Sequence, residues 1–446
     1  MTQPLRIAVA GAGSRGSRSY ATYCLDHPEE ARVVAVAEPR AERRRRMAAD
    51  HGIFEDLCFE SWEQLLERPR DIDGLVIATP DRLHVEPTLK ALEYGYDILL
   101  EKPIAPTAND LRRVAGAARD AEARITIGHV LRHTPFFSTI KRLIDEGRIG
   151  RLISIEHLEN VGYWHFAHSF VRGNWGHSGR SSPMVLAKSC HDMDILRWFA
   201  GSPWEKMSSF GRLSQFREDR APEGAPERCI DGCPIYETCP YNAVTFYVEA
   251  LAGYDGWPIS VIAEDTSREG RLEALRTGPY GRCVYRSNND VVDHQVAIIE
   301  FANEVTATLT VCGLTSENTR TLKLMGSEGE IRGHLERGEI EIRTFQPGDR
   351  KTEYGGEGEN PLETPSEVID VATTGLHAGG DEALMRTFLQ RIRAHRAGEQ
   401  AGEALTSLEE SLESHFMALA AEDSRVHSRV VTAREQPVEI ELVSGS

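Results

Sequence analysis

The glycine-rich stretch near the N-terminus constrains the fold more than any other feature. Gly11, Gly13 and Gly16 are spaced as G-x-G-x-x-G. An apolar run at 6–10 precedes them and a helix-forming segment at 15–26 follows. A strand, a glycine turn and a helix in this order begin a parallel β-α-β unit. We expect Gly11 to permit the tight turn, Gly13 to let a ligand approach the backbone, and Gly16 to let the helix pack on the strand.

This arrangement predicts a dinucleotide site. Phosphates bind at a helix N-terminus, so Ser14 and Arg15 join the glycines as candidate cofactor-binding residues. The second predicted strand ends in Glu38, about 20 residues after the glycines, where an acidic side chain accepts hydrogen bonds from ribose hydroxyls and repels a 2′-phosphate. NAD is therefore expected rather than NADP, although Arg40 nearby leaves NADP open.

Strand and helix patterns continue to alternate up to residue 130, which predicts a doubly wound parallel sheet. Predicted strands lie at 73–79, 97–100 and 125–128, and predicted helices at 61–67, 80–94 and 107–121. Thr79 and Glu101 stand at the carboxyl ends of two of these strands, where open α/β sheets bind ligands.

Length, charge and cysteine content bound the function. A chain of 446 residues is expected to form more than one unit, and a net charge of −18 disfavours nucleic acid and anionic membranes as partners. Residues 1–6 do not resemble a signal peptide, and no apolar run approaches the roughly 20 residues of a membrane span. Eight cysteines in a chain of this length fit a reducing compartment, so we expect a cytoplasmic protein.

Three motifs together resemble the glucose-fructose oxidoreductase, inositol dehydrogenase and MocA (Gfo/Idh/MocA) family of oxidoreductases. They are GAGSRG at 11–16, Ala78-Thr79-Pro80 followed by His84, and Glu101-Lys102-Pro103. Similar stretches continue at 129–132, 147–150 and 189–194. The resemblance implies a Rossmann domain at 1–130 and a second α/β domain at 131–446, built on a large, open, mostly antiparallel sheet. It also implies an NAD cofactor, and because such sheet faces are commonly buried by self-association we expect a homo-oligomer, a dimer or tetramer.

The resemblance also implies roles for individual residues. Lys102 matches the lysine that contacts the nicotinamide ribose and the reacting hydroxyl, and His191 matches the usual general acid/base. Thr79, Pro80, His84 and Glu101 fall on its cofactor-binding motifs.

One position departs from the family pattern. Many members carry an aspartate four residues before the histidine, but this chain has Ala187 there and Lys188 beside it. On a helix predicted at about 184–199, Lys188 and His191 share a face. Lys188 is therefore a second candidate base or a ligand for a substrate carboxylate, and the alternative is a lysine that extends to solvent.

A stretch rich in aromatic, histidine and arginine residues predicts a wall for a polyhydroxylated substrate, because flat rings pack on sugar rings and donors bind hydroxyls. The candidates are Tyr163, Trp164, His165, His168, Arg172 and Trp175, and the family resemblance adds Arg132 and His377, which fall on segments similar to those of the family. His157 and Glu159 alternate on the preceding strand and are expected to point into the same cleft.

Residues 205–245 have the character of an insertion that contains Cys229, Cys233 and Cys239. Three close thiols suit a metal, but tetrahedral sites take four ligands and the spacing is not a standard C-x₂-C pair. Reduced or partly bridged thiols are the alternative interpretation.

These features predict a dehydrogenase that transfers hydride between nicotinamide and a secondary hydroxyl of a sugar, sugar derivative or cyclitol. A second hypothesis is an NAD-dependent glycosidase or lyase that oxidises a ring hydroxyl transiently. A third is a cofactor sensor without catalysis, because one fold hosts many functions.

Overall fold

The structure is a computed structural model that describes residues 3–121, 124–345, 366–399 and 405–435. Its strands form two sheets, one of six strands and one of nine.

The first sheet is the predicted doubly wound sheet, with all of its strands parallel in the order β3-β2-β1-β4-β5-β6. The strands are β1 Leu5–Ala10, β2 Ala31–Ala37, β3 Cys58–Phe59, β4 Gly74–Ile77, β5 Asp97–Leu100 and β6 Ile125–Ile127. Four of them, β1, β4, β5 and β6, are almost wholly buried, as strands covered by helices on both faces must be.

Helices cover both faces of this sheet. They are a π-helical turn at Ser14–Ala21 that continues into α1 Thr22–Asp26, then α2 Ala41–His51, α3 Trp62–Leu65, α4 Val85–Glu93 and α5 Ala108–Asp120. The hydroxyls of Ser61 and Thr107 cap α3 and α5 by accepting the backbone N–H three residues on.

The second sheet is mixed and mostly antiparallel, in the order β14-β13-β12-β11-β7-β10-β9-β8-β15, as the resemblance implied. Among its described pairs only β7 and β10 run parallel. Its strands are β7 Leu152–Gly162, β8 Trp204–Arg212, β9 His294–Phe301, β10 Thr306–Thr315, β11 Thr319–Gly326, β12 Gly329–His334, β13 Glu339–Thr344, β14 Ser366–Asp370 and β15 Val431–Thr432. The helices of this half are α6 Pro135–Asp145, α7 Tyr163–Phe166, α8 Met184–Ala187, α9 Cys190–Ala200, α10 Ile259–Ile262, α11 Arg268–Thr277, α12 Gly380–Arg396 and α13 Leu408–His427.

The structure corrects two boundaries. The single helix expected at 184–199 is two helices, α8 and α9, and at the point where α8 ends the Ala187 carbonyl accepts a hydrogen bond from Lys102 Nζ at 2.8 Å instead of one from the helix backbone. The insertion expected at 205–245 begins too early, since residues 204–212 form β8, and the segment that separates β8 from β9 is 213–293.

The C-terminal part of the chain returns to the first sheet. Gly74 of β4 lies against Phe388 and Ile392 of α12, so closely that a Cβ built on Gly74 would be 2.8 Å from Ile392 Cδ1. Helix α12 therefore packs on the N-terminal domain, although it follows the second sheet in sequence.

Candidate active site

The glycine loop has the shape that its spacing predicts. Gly11 has φ +97°, and a Cβ there would lie 2.5 Å from the Ala78 carbonyl oxygen. A Cβ on Gly16 would lie 1.9 Å from the Gly11 carbonyl oxygen, so the helix packs directly on the turn. A Cβ built on Gly13 would have free space around it, because the nearest atom outside its chain neighbours is Arg43 Nη1 at 4.0 Å. The loop therefore has no room for a side chain at Gly11 and Gly16, whereas the space around Gly13 is free. Free space at Gly13 fits a pyrophosphate bound to the backbone amides.

Glu38 ends β2 next to this loop. Its side chain is buried, and its two carboxylate oxygens accept the backbone N–H groups of Ala12 at 2.8 Å and Arg40 at 3.0 Å. These bonds fix the carboxylate beside the glycine loop, and each oxygen keeps further acceptor capacity. The Arg40 side chain is exposed.

Arg15 is held by carboxylates. Its Nε lies 2.5 Å from Glu101 Oε1, and its Nη2 lies 2.8 Å from Asp381 Oδ1 of α12. The Tyr20 hydroxyl donates to the same Glu101 oxygen. The guanidinium thus joins the glycine helix, the end of β5 and α12, and the side chain is not aimed at a phosphate.

His84 braces the turns after β4 and β5. Its ring nitrogens contact the carbonyl oxygens of Pro103 at 2.6 Å and Thr79 at 2.7 Å, and the residue is buried. Thr79 Oγ1 donates to the Leu83 carbonyl at 2.8 Å. Thr79 and Lys102 therefore stand at neighbouring strand ends, and both ring nitrogens of His84 are occupied by the backbone of the two turns.

His191 lies at the start of α9, close to Lys102. It is 6% exposed, its Nδ1 is buried without a partner, and its ring meets His129 edge-on at a centroid distance of 5.5 Å. Burial, and after it the positive charge of Lys102, hold the pKa of His191 well below its usual value. The imidazole is therefore neutral at ordinary pH and can accept a proton.

Lys188 is paired with a carboxylate and its side chain is 17% exposed, so the alternative interpretation, a lysine that extends to solvent, is wrong. Its Nζ lies 3.2 Å from Glu159 Oε1. Burial lowers the pKa of Lys188, and the Glu159 carboxylate opposes this shift. The chain lacks an aspartate at Ala187, and the carboxylate beside Lys188 comes instead from β7.

A buried ionic network continues from this pair. Arg320 Nε of β11 lies 2.6 Å from Glu159 Oε2 and 2.7 Å from Asp192 Oδ1. Asp192 also contacts His157 Nε2 at 2.8 Å. His157 and Glu159 point to the same buried side of β7, as their alternation predicts. Arg320 was not predicted, because it lies 128 residues from Asp192 in the sequence.

Three of the predicted wall residues lie partly exposed in one place, Tyr163, Trp164 and His165 of α7. His165 Nδ1 contacts Asn318 Oδ1 at 2.8 Å, and burial followed by the nearby Lys188 charge lowers its pKa well below the usual value. His377 sits at the N-terminal end of α12, where its ring contacts Asp381 at 3.0 Å. Its charge contributes to the lowered pKa of His191, so it lies near the same cleft.

The insertion supplies part of this wall, and no pattern in the sequence indicated it. Trp164 packs on Phe246 and Trp257 at centroid distances of 5.6 and 5.7 Å. Tyr163 meets Tyr241 edge-on at 6.0 Å.

Four predicted substrate ligands have other partners. Arg132 is 1% exposed, with Nε and Nη2 each 2.8 Å from Asp194. His168 is buried and contacts the Tyr247 hydroxyl at 2.8 Å.

Arg172 donates to the carbonyls of Arg282 and Tyr241, both at 2.7 Å. Trp175 Nε1 donates to Asp81 at 3.2 Å, across the two halves of the chain. Because these polar groups are already satisfied inside the protein, we assign Arg132, His168, Arg172 and Trp175 to the framework and not to the wall.

A Rossmann sheet with an open glycine loop, and a half-buried lysine and a buried histidine at the carboxyl edge of that sheet, define the class of nicotinamide-dependent oxidoreductases. Two family models cover most of the chain. One, described as "Oxidoreductase family, NAD-binding Rossmann fold", matches residues 5–129, and the other, "Oxidoreductase family, C-terminal alpha/beta domain", matches residues 141–432. The chain therefore belongs to the Gfo/Idh/MocA oxidoreductase family.

Individual relatives agree with this assignment. The chain is 26% identical over 341 residues to the oxidoreductase YteT of Bacillus subtilis (strain 168), which covers 74% of this chain and 76% of that protein. It is 30% identical over 287 residues to inositol 2-dehydrogenase 1 of Paenarthrobacter aurescens (strain TC1), which covers 63% of this chain and 77% of that protein. Its fold is similar to levoglucosan dehydrogenase in complex with NADH and levoglucosan, with a TM-score of 0.66 at 18% identity over 96% of this chain and 99% of that one.

The described helices include none that is both long and apolar enough to cross a membrane.

Proposed function

We propose that the protein is an NAD-dependent dehydrogenase that oxidises a secondary hydroxyl of a sugar, a sugar derivative or a cyclitol. The observation that carries this proposal is the meeting of Lys102, Lys188 and His191 at one edge of the Rossmann sheet. Lys102 reaches from the end of β5 to the Ala187 carbonyl, directly beside Lys188 and close to His191. The inositol and levoglucosan dehydrogenases named above support the substrate class.

Each residue of the site has a separate role in the proposed reaction. When bound, the nicotinamide would accept the hydride from the carbon that carries the hydroxyl. The Lys102 ammonium stabilises negative charge on the substrate oxygen as its proton leaves. Two groups are suited to take that proton: His191, which burial keeps neutral, and Lys188, whose pKa burial lowers. Tyr163, Trp164 and His165 offer ring faces and polar edges to the hydroxylated substrate.

Glu38 supports NAD over NADP in this proposal. Its buried carboxylate is fixed beside the glycine loop by Ala12 and Arg40, where it would bind the ribose hydroxyls and repel a 2′-phosphate.

The test is to incubate the purified protein with NAD and a panel of sugars, sugar acids, inositols and glycosides, and to follow each mixture by proton NMR. Formation of NADH together with a keto-sugar supports the proposal. Release of an aglycone without net NADH would indicate an NAD-dependent glycosidase or lyase instead. A Lys102→Ala variant should still bind NAD but lose turnover, and full activity in that variant would remove Lys102 from the mechanism.

Self-association forms a further part of the proposal. The outer face of the second sheet exposes several large apolar side chains, which a second copy of the chain could cover. They include Phe210, Val296, Ile298 and Leu158, of which Ile298 is 53% exposed. Light scattering should show a dimer or tetramer, and Ile298→Asp should dissociate it while the exposed Glu156→Gln variant on β7 does not. A monomeric wild-type protein would refute this arrangement.

A further inference from the structure

The insertion at 213–293 brings four cysteines to one cavity. Cys229, Cys233, Cys239 and Cys283 all line one small cavity, and all four are free thiols. The first three are close in sequence, but Cys283 follows more than forty residues later and is placed there by the fold. A set of four cysteines is the ligand number that a tetrahedral structural zinc site requires.

Backbone pairing directs two of the thiols to the same side. Arg228 and Arg282 form an antiparallel β-bridge, and Cys229 and Cys283 follow them in sequence. Because side chains alternate along paired strands, both cysteines project from the face opposite the two arginines.

Three of the cysteines begin tight turns, as metal-binding loops commonly require. Each carbonyl accepts the backbone N–H three residues on, at 3.0–3.2 Å, at Cys233, Cys239 and Cys283.

A buried cation stands beside the cavity. Arg172 Nη2 donates to Cys229 Sγ at 3.5 Å, and the same side chain binds the carbonyls of Tyr241 and Arg282 on two cysteine-bearing segments. Four thiolates around a divalent ion carry a net charge of about −2, so a buried guanidinium would offset part of it.

The insertion also has a small apolar core of its own, apart from the main core of the protein. Its separate apolar core consists of eight buried residues, namely Cys229, Ala243, Val244, Tyr247, Val248, Ile259, Leu275 and Tyr280. Cores of this size are commonly reinforced by disulfides or a structural metal.

We propose that Cys229, Cys233, Cys239 and Cys283 form a structural site for one zinc ion with four thiolate ligands. Binding forms four Zn–S bonds and releases four thiol protons, without any change of oxidation state. No three of these four described thiols have sulphur atoms within 4.8 Å of one another, so rotation about χ1 must draw them inward. The ion would fix the insertion that carries Phe246 and Trp257 to the substrate wall.

The experiment measures metal in the full-length protein. Elemental analysis and native mass spectrometry should find one zinc per chain, and cobalt added to chelator-treated protein should give the visible absorption of a tetrahedral thiolate complex. Cys283→Ser should reduce zinc content roughly tenfold, while Cys312→Ser, on β10 outside the cavity, should retain it. Chelation should speed amide exchange within 213–293 and leave the sheets unchanged.

Three results would overturn the proposal. These are the absence of zinc after reconstitution under reducing conditions, an intact mass that reveals disulfides among the four thiols of the protein as purified, and iron with acid-labile sulphide in place of zinc. The zinc stoichiometry and the cobalt spectrum are both measured on the wild-type chain, so the test holds even if a cysteine variant fails to fold.

Discussion

The Glu159→Gln substitution would show which group takes the substrate proton. Glu159 Oε1 lies 3.2 Å from Lys188 Nζ, a separation at which opposite charges attract by about 5 kcal/mol at an effective dielectric constant near 20. Arg320 shares the carboxylate, so we expect only part of this energy to be lost. Because Glu159 opposes the burial that lowers the pKa of Lys188, its neutralisation should lower that pKa further.

The sign of the effect follows from the role of a base, which works only when it is deprotonated. If Lys188 is the base, the acid limb of the kcat/KM profile should move to lower pH by about one unit or more, where one unit corresponds to about 1.4 kcal/mol. The assay is NADH formation across a pH series with the substrate found by NMR.

Glu156→Gln is the matched control, since Glu156 lies on the exposed side of the same strand. An unshifted acid limb in folded Glu159→Gln protein would refute the role of Lys188 and leave His191 as the base.

Two further predictions concern stability and cofactor choice. Arg132→Met should lower the free energy of unfolding by about 3–5 kcal/mol, because it leaves Asp194 buried without its partner. Arg113→Met, at an exposed ion pair, should lower it by less than about 1 kcal/mol. Chemical denaturation measures both values, and equal losses would contradict the assignment of Arg132 to the framework. Glu38→Ser should lower the ratio of kcat/KM with NAD to kcat/KM with NADP at least about tenfold. An unchanged ratio would mean that Glu38 does not bind the ribose hydroxyls.

The features that could be predicted from the sequence are those set by neighbouring residues. The glycine loop and the parallel strands depend on spacings of a few residues, so the role of Gly11 in the turn could be predicted directly. The family resemblance then supplied the arrangement of the second sheet as a large, open and mostly antiparallel one.

Interactions between distant segments could not be predicted in this way. Arg132 has the residue type of a substrate ligand, but its partner Asp194 is 62 residues away and neutralises it inside the core. The helix expected at 184–199 contains no glycine or proline that would end it, and where α8 ends its Ala187 carbonyl is bound by Lys102, which lies 85 residues away in the sequence. Cys283 could not be predicted as a neighbour of Cys229 either, because the two residues are far apart in the sequence.

The insertion connects both halves of the candidate active site. Its Phe246 and Trp257 pack on Trp164 of the substrate wall. Its Glu264 carboxylate lies 3.2 Å from Arg43 Nε, and Nη1 of the same arginine lies 4.0 Å from a Cβ built on Gly13 of the cofactor loop. The insertion, which has a small core of its own, thus contacts both the substrate wall and the cofactor loop. A change that makes the insertion more rigid should therefore hold both of these parts in place. This arrangement gives a physical reason for a structural ion in the insertion, since the ion would stabilise the site without touching the substrate.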